Sequence, residues 1–494
     1  MVVSVRVKQP GHSGKGSFGW LSSVSARAVV VALSLSLTLP AGAESLRQAM
    51  AAAYQFNPKL DAERAKLRAT DEDVSRAESG YRPVVQGSAD LGRQNSLSKP
   101  AFSGNGQVDP WGYSISARQS VFNGFRTTNE VHEAEASVKV GRQTLRQVEA
   151  TVLMEAVTAY ADVVRDMEIV RIRESNIAVL AHDLEAAETR RNVKEVTKTD
   201  VAQARARHAR AISATDLAKA NLKVSRANFE RTVGHAPTGV GNPQLKVKQL
   251  PHSIEEAWGV AEKESPNVSA ALFQEEAARY NVDKVRGELL PEVTLEANYN
   301  HRQDPNNLYS EQSSTTVTSR LTVPLYDGGE VRARVRQAKH SHVARLQEIQ
   351  QARTETQANT TAAWSRMMAA RAQLKSDQIQ VEANRLALEG VREEEHVGQR
   401  TLLDVLNAEV EYLDARIQLV TTRHDLVVAS YQVLATIGTL NAEELELSNS
   451  IYDPEEHLLE ARQNWFGIDI MHADGRREAY DAADTENQAP GIDE

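Results

Sequence analysis

Four stretches of the chain carry side chains able to do chemistry. Glu393, Glu394, Glu395 and His396 follow one another directly and have the residue types of a metal site. Adjacent positions on a helix point in different directions, so such a run does not converge on one ion. His132 and Glu133 begin a zinc-protease motif but lack its second histidine. GHSGKGS, residues 11–17, is glycine-rich and basic, yet it lacks the spacing of a phosphate-cradling loop. The fourth stretch is VGQRTLLDVLNAEV, residues 397–410, where Gly398 interrupts a long helical pattern just before Arg400, Asp404 and Asn407. Asp404 and Asn407 are three apart, so they share one helical face about a turn apart. VKEVTKTDVAQARA, residues 193–206, echoes this stretch, with Lys194 in place of the glycine and Thr199 and Asp200 after it. Such residues suit ionic and hydrogen-bonded links between helices. The reading is of a protein that is not an enzyme and takes no cofactor or metal.

The elements that carry these residues are long helices. Aromatic residues make up 5% of the 494 and charged ones 25%, and Ala, Glu, Arg, Gln, Val and Leu dominate long stretches. That is the composition of long, mostly solvated helices. A net charge of −10 argues against a nucleic-acid partner, which needs a clustered basic surface. The chain has no cysteine, which excludes disulfides, thiolate metal sites and thiol nucleophiles. Lys8, Lys15 and Arg27 precede the apolar run AVVVALSLSLTLP, residues 28–40, and the small residues AGA. This order reads as a secretory signal over residues 1–43, cleaved after Ala43. The run is too short to cross a bilayer as a helix, and no later stretch offers about 18 consecutive apolar residues.

The exported part is written twice. SLRQAMAAAYQFNP (45–58) matches SIEEAWGVAEKESP (253–266), and YRPVVQGSADL (81–91) matches LLPEVTLEANY (289–299). VFNGF (121–125) matches LYDGG (325–329), and the register then holds without a gap through Asp200 and Asp404 to TVG and TIG. A period this long means a duplicated unit. The first repeat spans 44–240 and the second 241–446. Each is read as a helix (45 to about 79 in the first), a β-hairpin (about 83–122 and 291–326) and a long helix pair. The acidic remainder, 447–494, reads as a mobile tail, and NWFGIDIMH (464–472) within it suits packing on the exterior.

After Pro83, apolar Val85, Gly87, Ala89 and Leu91 alternate with polar residues, and Tyr113, Ile115, Ala117 and Val121 do the same, with Gln119 the one polar break. The second copy repeats this with Val293, Leu295, Ala297 and Tyr299, then Val317, Leu321 and Val323. Strands of about ten residues match a tilted crossing of a bilayer. Tyr81, Trp111, Tyr113, Phe122, Tyr299 and Tyr326 lie near the strand ends, where aromatics suit the water–lipid interface. An open sheet in lipid leaves its edges unsatisfied at several kcal/mol per group. Single barrels start at about eight strands, so four per chain predict a barrel shared among symmetric copies. The fold class is therefore α+β, mostly α.

The signal, the doubled helix–hairpin–helix-pair order, the FNG and LYDGG turns, VGQRTLLDVLNA and the closing TIGTL together resemble the TolC family of outer-membrane efflux proteins, and most nearly its BepC-like branch. The resemblance covers residues 45–445. It implies a homotrimer in the outer membrane of a Gram-negative bacterium, with a twelve-stranded β-barrel in the lipid and a helical tunnel across the periplasm. It also implies a periplasmic adaptor protein and an inner-membrane RND or ABC transporter as partners, and drugs, detergents, bile salts or secreted proteins as substrates. By the same resemblance the junctions near 193–200 and 397–404 form the periplasmic entrance. Asp404 and Asn407 map onto its constriction, where three copies of Asp404 would raise one another's pKa; the alternative is that Asp404 faces solvent or caps the helix that begins after Thr401. Arg400, Thr199 and Asp200 match the polar links that hold the helix pairs shut. Three departures stand out. Lys194 replaces a glycine, which predicts a turn of different shape. Glu395 stands where the family often has a tyrosine, so it either repels Asp200 or pairs with Arg400. Asn407 replaces a second aspartate. The alternative reading is an exported periplasmic coiled-coil scaffold or adaptor that does not span the membrane.

Overall fold

The computed structural model describes residues 44–96, 106–241, 250–306, 309–447, 451–465, 467–471 and 477–478. The signal at 1–43 and the end of the tail lie outside these residues. The first half runs α1 (Leu46–Phe56), α2 (Pro58–Glu78), β1 (Val84–Leu91), β2 (Gln94–Ser96), β3 (Gly106–Val108), β4 (Trp111–Phe122), α3 (Arg126–Asn192) and α4 (Lys198–Val233). The second runs α5 (Ile254–Glu264), α6 (Pro266–Gly287), β5 (Glu292–Asn306), β6 (Tyr309–Thr322), α7 (Glu330–His396) and α8 (Leu402–Ile437). Helices α3 and α7 have 67 residues each, and α4 and α8 have 36 each. At 1.5 Å per residue the longer pair reaches about 100 Å.

The one helix expected over residues 45–79 is two. A residue before proline is pushed out of the helical region, and Asn57 accordingly sits at φ −79°, ψ 117° ahead of Pro58. Its side chain then caps α2 by accepting from the Lys59 amide at 3.0 Å.

The two hairpins join into one antiparallel sheet in the order β1-β4-β5-β6. Its register sorts the side chains cleanly. Val85, Ala117, Ala297 and Val317 lie in one row, and Gly87, Ile115, Tyr299 and Thr315 in the row two residues further along. The opposite face is polar: Arg118 bonds Glu296 at 2.8 Å, Arg302 bonds Asp90 at 3.0 Å, and the Ser88 and Ser114 hydroxyls lie 2.8 Å apart. Gln119, the polar break on the apolar face, donates to the Tyr81 carbonyl at 2.9 Å. A bulge between Ser120 and Phe122 then brings Phe122 opposite Val293. Among the described residues, β1 pairs only with β4 and β6 only with β5, so both outer edges are open.

The main apolar core gathers α1 to α5, α7 and α8 around Leu60, Tyr160, Phe229, Val433, Ile437 and Leu440. The single proton of the Tyr160 hydroxyl is shared between the carbonyls of Glu44 (2.7 Å) and Gly241 (2.8 Å), tying the start of one half and the start of the other to one point. At the helical end of the sheet two backbones touch. A Cβ on Gly124 would meet the Gly287 carbonyl oxygen at 2.2 Å, and one on Gly287 would meet the Gly124 oxygen at 2.3 Å.

Part of the tail expected to be mobile is docked. Helix α9 (Pro454–Gln463) lies on α2. Ser75 Oγ donates to the Ala461 carbonyl at 2.6 Å, and His457 Nδ1 lies 3.0 Å from the fully buried Asp71 carboxylate. Arg142 of α3 bonds Glu455 at 3.0 Å.

Candidate functional site at the helix-pair junctions

The two junctions close in the same way. Lys194 N–H donates to the Arg191 carbonyl and Glu195 N–H to that of Arg190, both at 3.0 Å. In the second half Gly398 N–H donates to Glu395 (2.9 Å) and Gln399 N–H to Glu394 (2.8 Å). φ is +69° at Lys194 and +80° at Gly398. The different shape expected from Lys194 is therefore not found, because this pair of capping bonds requires the left-handed conformation whatever the side chain. A residue with a Cβ is crowded there by about 1 kcal/mol. Lys194→Gly is expected to stabilise the first junction by about that amount, and Gly398→Ala to weaken the second equally. No atom lies within 4 Å of the added methyl, so only the backbone conformation is tested. Hydrogen exchange of the amides flanking each turn measures both changes.

Asp404 and Asp200 are helix caps. Asp404 Oδ2 accepts from the Thr401 amide (3.0 Å) and hydroxyl (2.8 Å), while the Asp404 amide donates back to Thr401 Oγ1 at 3.3 Å. Asp200 and Thr197 repeat the arrangement at 2.9, 2.8 and 3.2 Å. Each is a reciprocal capping box with aspartate in the acidic position. The bonds from Thr401 hold the Asp404 carboxyl below the usual carboxylate range, helped by the Arg400 charge. Within the chain the shift is thus downward.

The links also differ from expectation. Arg400 bonds Glu394 at 2.8 Å, across its own turn, and this bond raises its already high pKa. It does not bond Asp200 or Glu395. Glu395 instead accepts from Arg190 at 2.6 Å, tying α7 to α3. Asn407 Oδ1 accepts from Arg207 Nη2 at 3.0 Å, tying α8 to α4. Thr199 is exposed on the first turn of α4. The arginines of these two links went unnoticed in the sequence, because Ala/Arg-rich helical stretches offer many cations and no spacing marks which one crosses to a neighbour. Between α3 and α4 near the same end is a groove of about 390 Å³ lined by Arg191, Lys198, Val201 and Arg205.

Two turns into α8 is a further group that no motif announced. Glu409 is 5% exposed, accepts from Arg392 of α7, and lies beside Asp183 of α3. Burial, with the Asp183 carboxylate adding to it, pushes Glu409 up to about 7 in spite of Arg392. Glu409 Oε2 and Asp183 Oδ2 are both buried without a hydrogen-bond partner. A proton on one of two such carboxyls satisfies both, since the neutral acid donates where the carboxylate accepts. Of the enzyme-like motifs, residues 11–17 lie outside the described residues, and Glu133 bonds Asn281 at 3.0 Å and Lys284 at 2.6 Å.

The strand aromatics fall at two levels. Trp111, Tyr113 and Tyr299 collect with His301 toward the hairpin tips, with ring centroids 6.1 Å apart for Trp111–His301 and 6.0 Å for Tyr113–Tyr299. Tyr81, Phe122 and Tyr326 stand at the helical end. Tyr81 donates to Thr128 Oγ1 at 2.9 Å, Phe122 meets Phe125 edge-on at 5.2 Å, and Tyr326 is 81% exposed.

Comparison with known proteins agrees with this architecture. The family model described as outer membrane efflux protein matches residues 49–235 and 259–439. The outer membrane efflux protein BepC of Brucella suis is 35% identical over 445 residues, covering 89% of this chain and 96% of the relative. The outer membrane protein TolC of Escherichia coli is 24% identical over 452 residues, 86% of this chain and 89% of the relative. The Campylobacter jejuni CmeC outer membrane channel superposes with a TM-score of 0.73 at 16% identity, over 85% of this chain and 90% of that one. The fold is that of helical channels with a β-barrel end, and the place of the protein is the outer membrane, with its helices extending into the periplasm. The doubled match and the near full-length likeness lead to one conclusion: the chain belongs to the outer membrane efflux protein family.

Proposed function

We propose that the chain is one third of a passive, homotrimeric exit duct. It conducts substrates delivered by an inner-membrane RND or ABC transporter through a periplasmic adaptor, in drug efflux or type I secretion. One observation carries the oligomer. Helix α3 packs along α6 and α8 of the other half, whereas the extended packing of α7 is with α5, α6 and α8 of its own half, its link to α3 being Arg190–Glu395 near the junction. The corresponding side of α7 exposes Val343, Leu346, Met368, Ile379 and Leu386, and α4 exposes Ile212, Leu217 and Val224. A neighbouring copy that offers α2 and α4 to α7 would repeat the internal contact between copies. That is a head-to-tail interface, and such an interface closes into a ring when its rotation divides the circle. Three copies also pair the open edges of β1 and β6 and close twelve strands.

In the ring the two junctions lie at the tunnel's periplasmic end, with Asp404 and Asn407 as its constriction. One carboxylate per chain makes a ring of lower charge than two would, so block by multivalent cations is weaker. The Thr401 cap, which holds the Asp404 carboxyl down within one chain, favours the ionised form against the repulsion of the other two copies. Arg190–Glu395 and Arg207–Asn407 latch the helix pairs. A partly exposed pair of this kind contributes about 0–1 kcal/mol, weak enough for a docking partner to undo. The basic groove at Arg191 and Lys198 is the surface offered to the adaptor.

Native mass measurement in detergent tests the ring. Wild type is expected as a trimer, and Ile379→Glu with Leu386→Glu as monomer. A wild-type monomer, or a double variant that stays trimeric, overturns the assembly. In planar bilayers Arg190→Ser is expected to raise the open fraction, and unchanged gating overturns the latch.

A further inference from the structure

The chain continues beyond residue 439, where the family match ends, and the continuation returns along α2 toward the sheet. We propose that this strap carries a second membrane anchor: Trp465, Ile468 and Ile470 lie in the interface of the inner phospholipid leaflet. Helix α9 is held on α2 and α3 by His457–Asp71, Ser75–Ala461 and Arg142–Glu455, and Arg462 adds Glu78 at 3.5 Å. These bonds set the direction of the chain after Gln463. The Trp465 ring comes to rest on Arg82, whose guanidinium carbon is 4.2 Å from the ring centroid. Arg82 stands two residues before Val84, the first residue of β1. The ring therefore sits where the bilayer-crossing strands emerge into the helices.

Docking covers Ala461 to 2% exposure yet leaves Trp465 61%, Ile468 69% and Ile470 57% exposed. Three large apolar side chains in water at a well-tethered site lack an occupant. Exposed Tyr81 (52%) directly precedes Arg82, and Val85 (65%), three residues after it, belongs to the apolar face of the sheet. A surface continuous with lipid-facing strands is met by lipid. Tryptophan suits that level, since its ring is apolar and its N–H reaches the headgroups. Arg82 fits as well: its guanidinium lies over the ring face as a cation–π contact and pairs with Glu78 at 3.8 Å. The anchor fixes the height of α2 at the membrane surface independently of the strands.

The test is tryptophan emission of the full chain reconstituted in phospholipid vesicles, taken as the difference between wild type and Trp465→Phe. Lipids brominated high on the acyl chain are expected to remove most of that difference, while aqueous acrylamide removes little. Two results overturn the proposal. If acrylamide quenches Trp465 and brominated lipid does not, the strap faces water. If neither quenches it, a second copy of the chain covers it.

Discussion

Gly287→Ala is expected to cost about 3 kcal/mol or more, among the larger single effects available in this chain. The added methyl would sit 2.3 Å from the Gly124 carbonyl oxygen and 2.9 Å from Arg126 Cγ. The arginine can move, but the carbonyl is backbone and can move only with its strand. Gly124 follows β4 and Gly287 precedes β5, and β4 and β5 are the pair that joins the two hairpins. Relief of the clash therefore drags the register of that pair. The measurement is the temperature at which the oligomer band collapses on a gel, expected to fall well below wild type. Gly328→Ala is the informative companion. Gly328 holds φ +69° like Gly124, but no atom of its own chain lies within 4 Å of an added methyl. In an isolated chain it costs only backbone strain, about 1 kcal/mol. If a neighbouring copy supplies the end of its α2 there, Gly328→Ala is expected to act as severely as Gly287→Ala.

Arg392→Met is the second large effect, at about 3 kcal/mol above neutral pH. It removes the cation from a buried carboxylate that already faces Asp183. The figure is set at the low end for a broken buried pair because Arg392 is itself 46% exposed. The effect depends on pH in a definite direction. Glu409 has an ordinary pKa of 4.5 and is pushed up to about 7 in the folded chain, so folding holds its proton more tightly. The stabilisation from the protonated pair is complete below 4.5, declines as pH rises, and is gone once pH passes about 7. Amide exchange around residues 180–187 and 402–410 is expected to speed up across that window in wild type. Arg392→Met should deepen the change, whereas Glu409→Gln, neutral at every pH and able to donate to Asp183, should flatten it. A flat wild-type profile would show that the pair does not titrate.

The long helices were legible because Phe125 to Asn192 has no proline to stop it, and the junctions because Gly398 and its echo stand at one spacing. Strand faces were legible from alternation, down to Gln119 as the odd residue. What pairs with what was not. The union of β4 with β5 joins residues 171 to 192 apart (Phe122 with Val293, Trp111 with Gln303), and the approach of Gly124 to Gly287 involves two residues without side chains to betray it. Asp404 illustrates a different limit. T-x-x-D beside a glycine is equally a cap and a polar face, and the sequence alone does not rank the two. Lys194 shows a local preference overridden: lysine seldom takes a left-handed backbone, and here the hydrogen bonds at the end of α3 impose it. Arg190 and Arg207 were hidden by abundance.

The matched lengths of α3 with α7 and of α4 with α8 have a consequence for how such a chain can change. One inserted residue turns everything beyond it by about 100° and advances it by about 1.5 Å. In α3 alone it would put one half's staves out of phase with the other's and bring their tips to different depths. Length can drift freely only where no phase is kept, at the hairpin tips and in the strap. The distance from the outer membrane to the tips is thus inherited as a fixed gauge, and any lineage that alters it must edit both halves together.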